Sequence, residues 1–384
     1  MGDSTVLSGF TLNGGTDNAI AASGVENVEI RDNTITNAGR GIFLNDVSGS
    51  VVLFDNVISD TTGGAGSGQG ILINNTLSDA VEVSIARQEI TDTSQGISVI
   101  ADGSASATAN PQQIVTIADT TVDDSGAEGL RFQADAAGNQ GITVTDSVIT
   151  DSGADGVSVT AVNTGSQEVT IEDSRIARSD GSGISVVAGT PDGSSTAAQE
   201  VFINDNRIAN NDGDGISIAA NEVATQEFGI NGNTITGNGG GGIVAIAQNV
   251  AFQEFVTDED NNSLGISNNT ITGNGGQAIS LTGFDSATVV ADIQGNVSEG
   301  NDTTDGDLAI TANDTTNDFC TFLSDNATDS SIQLTNDSVV PALFEVVQLP
   351  NVNDLNSSGV TFNPNQSVFT NVGGVDSCFD ALED

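Results

Sequence analysis

"QEVTIEDSRIARSDGSGISVV" occupies Gln167–Val187, and "QEVFINDNRIANNDGDGISIA" occupies Gln199–Ala219, an offset of 32 residues. Thirteen of the 21 positions are identical, and the exchanges largely keep polarity. Both stretches hold V-x-I, then a polar pair ahead of Ile, then Gly-Ile followed by alternating residues. Alternation with a period of two is the signature of strands that bury one face. A supersecondary unit written twice in succession marks a repeat architecture.

The same landmarks recur along most of the chain. A polar pair followed by x-Ile or x-Val appears as "DNTI" (32–35), "DNVI" (55–58), "RQEI" (87–90), "DTTV" (119–122), "DSVI" (146–149), "DSRI" (173–176), "DNRI" (205–208), "GNTI" (232–235) and "NNTI" (268–271). A Gly-Ile strand follows at nearly constant distance, as in "RGIFL" (40–44), "DGVSV" (155–159) and "DGISI" (214–218). The variable part lies after that strand, as in "VVAGTPDGSSTAAQ" (186–199). A fixed core length with one variable loop describes a solenoid in which each unit is one coil of three short strands.

The "DNTI…GRGIFL" coils resemble the right-handed parallel β-helix family, the pectate-lyase-like superfold, over roughly Val6 to Gly300. The resemblance implies an all-β fold: a right-handed parallel β-helix of about ten or more three-strand coils with a C-terminal cap. Val169, Ile171, Ile176, Ile184 and Val186 are then inward, as are Val201, Ile203, Ile208, Ile216 and Ile218. Stacked strands lie about 4.8 Å apart, and each such buried side chain contributes on the order of 1.5–3 kcal/mol. Ser174, Asn206, Asn233 and Asn269 recur at a bend, where Asn tolerates left-handed backbone and can bond its stacked neighbour as an internal ladder. Gly183, Gly215 and Gly242 precede the inward Ile, where a tight turn calls for permissive φ.

The coils are expected over 1–302, with final coils and the cap over 303–384. "VVPALFEVVQLPNVNDL" (339–355) is the most apolar stretch and reads as cover for the last coil. The segment "CTFLSDNAT" (320–328) is similar to stretches that close β-helix domains of large bacterial or archaeal cell-surface proteins. The two cysteines, Cys320 and Cys378, suit a disulfide in an oxidising setting. "MGDSTVLSGF" enters a strand-like run at once and reads as the start of an excised piece.

Composition sets the limits on function. Acidic residues number 53 against 7 basic ones, for a formal charge of −46. Nucleic acid and anionic membrane are therefore excluded as partners, because affinity for both comes from Lys and Arg. No stretch approaches the ~20 apolar residues of a membrane span. Such self-repulsion costs stability unless salt or bound cations screen it. This points to a halophilic, marine or calcium-rich exterior, with the chain extracellular or on a cell surface.

Catalysis fits the residues poorly. Lyases and epimerases on the superfold use Lys, Arg, His or Tyr as base, and this chain has no Lys, His or Tyr. Its basic groups are Arg31, Arg40, Arg87, Arg131, Arg175, Arg178 and Arg207. Polygalacturonase-like hydrolases pair an Asp cluster with a His and basic residues, so that site does not transfer. Asp pairs such as Asp123-Asp124 could still supply acid and base. The acidic pattern that does recur is Gln-Glu at strand starts: Glu168, Glu200, Glu227 and Glu254. Stacked, these carboxylates repel unless cations bridge them, and hard oxygen ligands suit Ca²⁺. Asp258 and Asp260 in "TDEDNNS" (257–263) are further candidate ligands. Asn-x-Ser/Thr acceptors crowd the C-terminal third, at Asn296, Asn301, Asn313, Asn326, Asn336, Asn356 and Asn365.

The sequence thus reads as a secreted or surface-displayed structural or adhesive module, cation- or salt-stabilised and without an organic cofactor. Its partner would be a glycan, a surface protein, or another copy meeting it through coil ends. A carbohydrate-active enzyme on the same scaffold and a self-assembling fibre or sheath subunit are the competing readings.

Overall fold

The computed structural model describes residues 2–63, 68–77, 80–105, 111–190, 195–255, 265–301, 307–313, 318–324, 326–328, 332–336, 344–348 and 360–364. It forms two compact units, Met1–Val186 with Ala197–Gln199, and Val187–Thr196 with Glu200–Asp384. No helix among the described residues is long and apolar enough to cross a membrane.

In the first unit the chain visits three parallel sheets in rotation. The first sheet runs from Val6–Ser8 through Glu26–Arg31 and Ser48–Phe54 to Ser166–Glu172. The second runs from Thr11–Asn13 through Val57–Thr61, Glu89–Thr93, Thr121–Ser125 and Val148–Ser152 to Arg175–Ala177. The third runs from Asn18–Ser23 through Gln69–Asn75 and Gln95–Asp102 to Val157–Ala161. Period-2 alternation turns one set of side chains into each coil. Val169 and Ile171 register on Ile142 and Val144, and Ile176 on Ile149, all nearly or fully buried.

The second unit repeats the scheme. Thr225–Asn231 pairs with Phe252–Phe255 in one sheet, Arg207–Ala209 with Thr234–Thr236 in another and Ile216–Ala220 with Ile243–Ala247 in the third. Ile208, Ile216 and Ile218 register on Ile235, Ile243 and Ala245. Phe228 and Phe255 fill the interior as an offset stack, ring centroids 5.0 Å apart at 16°. Coil pairing continues beyond the point where the sequence landmarks fade. Asp318–Ser324 pairs with Phe344–Gln348, and Ile332–Asn336 with Val360–Pro364, all parallel. Phe344–Gln348, inside the stretch expected as cover, is therefore a sheet strand. The rest of that stretch lies outside the described residues, as does Cys378 and with it the Cys320–Cys378 pairing.

Two sequence expectations are corrected. The ladder amides do not occupy the left-handed positions. The residue before each does: Asp32, Asp55, Asp146 and Asp205 have φ of 57°, 53°, 49° and 54°. Asp and Asn tolerate that conformation because a short polar side chain bonds locally. The turn it makes aims the next residue inward. Gly215 and Gly242 are needed for space rather than for φ. A Cβ at Gly242 would stand 2.3 Å from Ile271 Cγ2 and 2.5 Å from Ala278 O, and one at Gly215 would stand 2.4 Å from Ile235 Cγ2.

The expected internal ladder is present. Asn206, Asn233, Asn269, Asn296 and Asn326 are buried, and each Nδ2 from Asn206 to Asn296 donates to the next Oδ1 at 2.9–3.2 Å. The backbone N–H of the same residue donates to the same oxygen, as from Asn233 to Asn269 at 2.9 Å. A second ladder, unforeseen in the sequence, lies one bend on: Asn211, Asn238, Asn274 and Asn301, each Nδ2 to the next Oδ1 at 2.9 Å. A third joins the strand-start glutamines: Gln140 to Gln113 at 2.9 Å, and Gln167 to Gln140 and Gln199 to Gln167, both at 2.8 Å.

Candidate functional site

The left-handed bends also decide where the outward acids stand. Within the second-sheet strands from Val57–Thr61 to Val148–Ser152, Asp60, Asp92, Asp124 and Asp151 hold φ of 55°, 51°, 53° and 54°, and Arg178, just past Arg175–Ala177, continues the series at 59°. The neighbouring column, in register, is Ser59, Thr91 and Asp123, all half-buried, then the buried Thr150 and Ala177. Ser59 Oγ donates to Asp60 Oδ2 at 3.1 Å, and Thr150 Oγ1 donates to Asp123. Arg178 grips Asp151 with both Nε, at 2.8 Å, and Nη2.

The carboxyls of this column are not equivalent. Desolvation, the charge of Asp124 and a hydrogen bond to it, and the charge of Asp60 hold the Asp92 carboxyl above the usual range. Asp151 is held below it, first by the hydrogen bond from Arg178, then by that guanidinium's charge and by a hydrogen bond with Asp123, against an opposing desolvation. Asp92 and Asp151, two coils apart in this column, are thus shifted in opposite directions.

A second polar series crosses the third-sheet bends of the first unit. Arg40 Nε donates to Gln69 Oε1 at 2.6 Å, Gln69 Nε2 to Gln95 Oε1 at 3.4 Å, and Gln95 Nε2 to Glu128 Oε2 at 2.7 Å. Asp155 beyond it accepts from the Ser182 backbone N–H at 2.8 Å. Burial raises its carboxyl, hydrogen bonds from Ser182 and Ser185 lower it, and the charge of Glu128 raises it further. In the second unit, Asp214 accepts from Gly241 N–H at 2.7 Å and is likewise raised by burial.

Two of the glutamates singled out in the sequence are placed in register with each other. Glu227 and Glu254 register directly, and the next coil places Val290 there. Glu168 is exposed on Ser166–Glu172, and on one side its register neighbours are Gly141 and then Ile114. Glu200 is half-exposed on Ala198–Asn204. Asp258 and Asp260 lie outside the described residues. Among the described residues no group of three or more His, Cys, Asp or Glu is arranged to hold a metal ion. Of the Asp60–Asp151 column the sequence singles out only Asp124, in the Asp123-Asp124 pair, although each member stands two residues after the apolar residue of a "DNVI"-type landmark.

The three-sheet rotation agrees with comparison to known families: residues 69–253 match the family model described as "Right handed beta helix region". The chain is a right-handed parallel β-helix. Two solved structures are similar to this β-helix. One is the catalytic unit of a thermostable GH87 alpha-1,3-glucanase from Streptomyces thermodiastaticus strain HF3-3, 12% identical with a TM-score of 0.40, covering 94% of this chain and 63% of the glucanase unit. The other is a double mutant of the periplasmic alginate epimerase AlgG, 11% identical with a TM-score of 0.34, covering 90% of this chain and 75% of that one. The β-helix thus spans less than two thirds of the glucanase unit. No curated protein matches it.

Proposed function

We propose that this β-helix is a structural module of an exported or surface-displayed protein. It holds acidic columns outward for contact with a glycan or a surface protein. The observation that carries the reading is what the recurring polar residues do. Buried Asn and Gln of successive coils bond one another in ladders, and a series of outward Asp stands where the backbone turns left-handed. Both are requirements of stacking. Cations of the medium would act as diffuse counter-ions to these columns, Ca²⁺ among them. The test is incubation with a panel of neutral and acidic polysaccharides, read by reducing-end release and unsaturated product. No release is expected, and reproducible product would overturn the reading.

One observation favours a second reading, glycan cleavage on the same scaffold. Asp92 and Asp151 are pushed in opposite directions on one outward face. If product appears in that panel, Asp92→Asn and Asp151→Asn should each abolish it. Activity that survives both changes would exclude this column.

A further inference from the structure

The structure sorts the Asn-x-Ser/Thr sequences by what their amides already do. Asn296 and Asn326 are rungs of the internal ladder, each buried, each donating Nδ2 to a main-chain carbonyl at 2.8 Å. Asn301 is buried in the second ladder, its Nδ2 on Ile271 O at 3.0 Å. An amide in such a position cannot accept a substituent without opening the coil. "NNT" at 74–76 is engaged differently: Asn74 Nδ2 donates to Asn45 Oδ1 at 3.0 Å, and Thr76 Oγ1 donates to Asp46 Oδ1 at 2.9 Å.

"NNT" at 268–270 differs from these four. Its first Asn is the outward, left-handed member of the bend pair, φ 55°, and its second, Asn269, is the ladder rung. Asn268 and Thr270 are both exposed. The Asn268 amide makes one long contact, 3.4 Å to Ser267 Oγ. Its neighbours along the bend column are Gly232 and Gly295, and a Cβ at 295 would stand 2.8 Å from Asn268 Oδ1. At the coils of Asp55 and Arg87 the same column is filled by a salt-bridged pair. Here side-chain-free glycines leave the amide clear on both sides.

We infer that Asn268 is an acceptor for an N-linked glycan on the exported chain. The co-reactant is a lipid-phosphate-linked oligosaccharide presented by an oligosaccharyl transferase. Nδ2 of Asn268 forms the new bond to the anomeric carbon and loses one amide proton. The bond from that carbon to the phosphate oxygen breaks, and the lipid phosphate leaves with its electron pair. Thr270, on the same exposed face, completes the recognition sequence. A glycan here stands off the bend and leaves Asn269 in its ladder.

The test is secretion of the full chain from a yeast host and isolation of the soluble, monomeric fraction. Peptide mapping follows, after enzymatic deglycosylation in ¹⁸O water, which marks each formerly modified Asn. Asn268 is expected to carry the mark, and Asn74, Asn296, Asn301 and Asn326 to lack it. Asn268→Asp, which keeps a residue suited to φ 55°, and Thr270→Val should each remove the glycan mass without lowering the melting temperature. Thr270→Ser should retain it. An unmarked Asn268 in the folded fraction, or marks on Asn296 and Asn326 in the same fraction, would overturn the inference.

Discussion

At the scale of the residue, the decisive pair is a left-handed outward Asp or Asn followed by an inward amide. Asn233 accepts from Asn206 through both backbone and side chain, and donates to Asn269 and to Ile203 O at 2.7 Å. Asn233→Ala leaves those buried groups without partners, and each such group costs about 1–3 kcal/mol. Chemical denaturation should show a loss of at least that size. The neighbouring exposed pair member behaves otherwise: Asn268→Asp should shift stability by less than about 0.5 kcal/mol. Equal effects at the two positions would mean that the ladder adds nothing beyond the bend. The "DN" pairs were legible in the sequence, but the assignment of roles within them was not. Asn can serve either as the left-handed residue or as the ladder amide, and only the backbone angles distinguish the two.

At the scale of the element, spacing carried more than composition. Short alternating strands, their rotation among three sheets and the inward Val and Ile set follow from period-2 patterning and the constant interval between landmarks. The second amide ladder was hidden, because in the first unit the same position is held by Thr93, Ser125 and Ser152, which share no motif with Asn211 and Asn238. The acidic column on Val57–Thr61 to Val148–Ser152 was hidden by abundance, since Asp is everywhere in this chain. The Gln-Glu repeat was legible, and it sets Glu227 beside Glu254, while Gly141 stands at the corresponding position of the strand before Glu168. Glycine makes a sharp prediction here. Gly242→Ala forces a Cβ into Ile271 and Ala278 O and should cost about 1–3 kcal/mol. Gly273 has φ +63° and open space around it, so Gly273→Asn should be nearly neutral by the same denaturation assay.

At the scale of the whole molecule, charge governs. With a formal charge of −46, raising salt from 0.1 M to 1 M shortens the Debye length from about 10 Å to about 3 Å and should raise the melting temperature. EDTA in molar NaCl should change little if counter-ions act diffusely, whereas a large drop would indicate a specific divalent site. The pH response has a definite sign. Asp92, Asp155 and Asp214 have folded pKa values raised above the ordinary 3.8. The folded state therefore binds their protons more tightly, and stability increases as pH falls from neutral through those values. Asp55 and Asp151, held down by Arg87 and Arg178, work the other way: their contribution is lost as pH falls below 3.8 through their folded values. Thermal melts should therefore peak in mildly acidic buffer. Asp214→Asn, which keeps an acceptor for Gly241 N–H, should flatten the rise between neutral pH and the peak.

The second amide ladder also bears on how the protein ages. Asn238 and Asn274 are each followed by glycine, the sequence in which an asparagine side chain most readily cyclises onto the next backbone nitrogen and deamidates. In the folded chain that nitrogen is occupied: Gly239 N–H donates to Asn211 O at 2.7 Å, and Gly275 N–H donates to Asn238 O at 2.8 Å. The amides themselves are fixed between coils. Cyclisation is therefore blocked while the stack is closed and opens when it melts. Each excursion to the unfolded state risks converting a rung into a carboxylate that cannot donate to the coil beyond it. Unfolding becomes a one-way door that narrows with time, and storage life is set by how rarely the coils part.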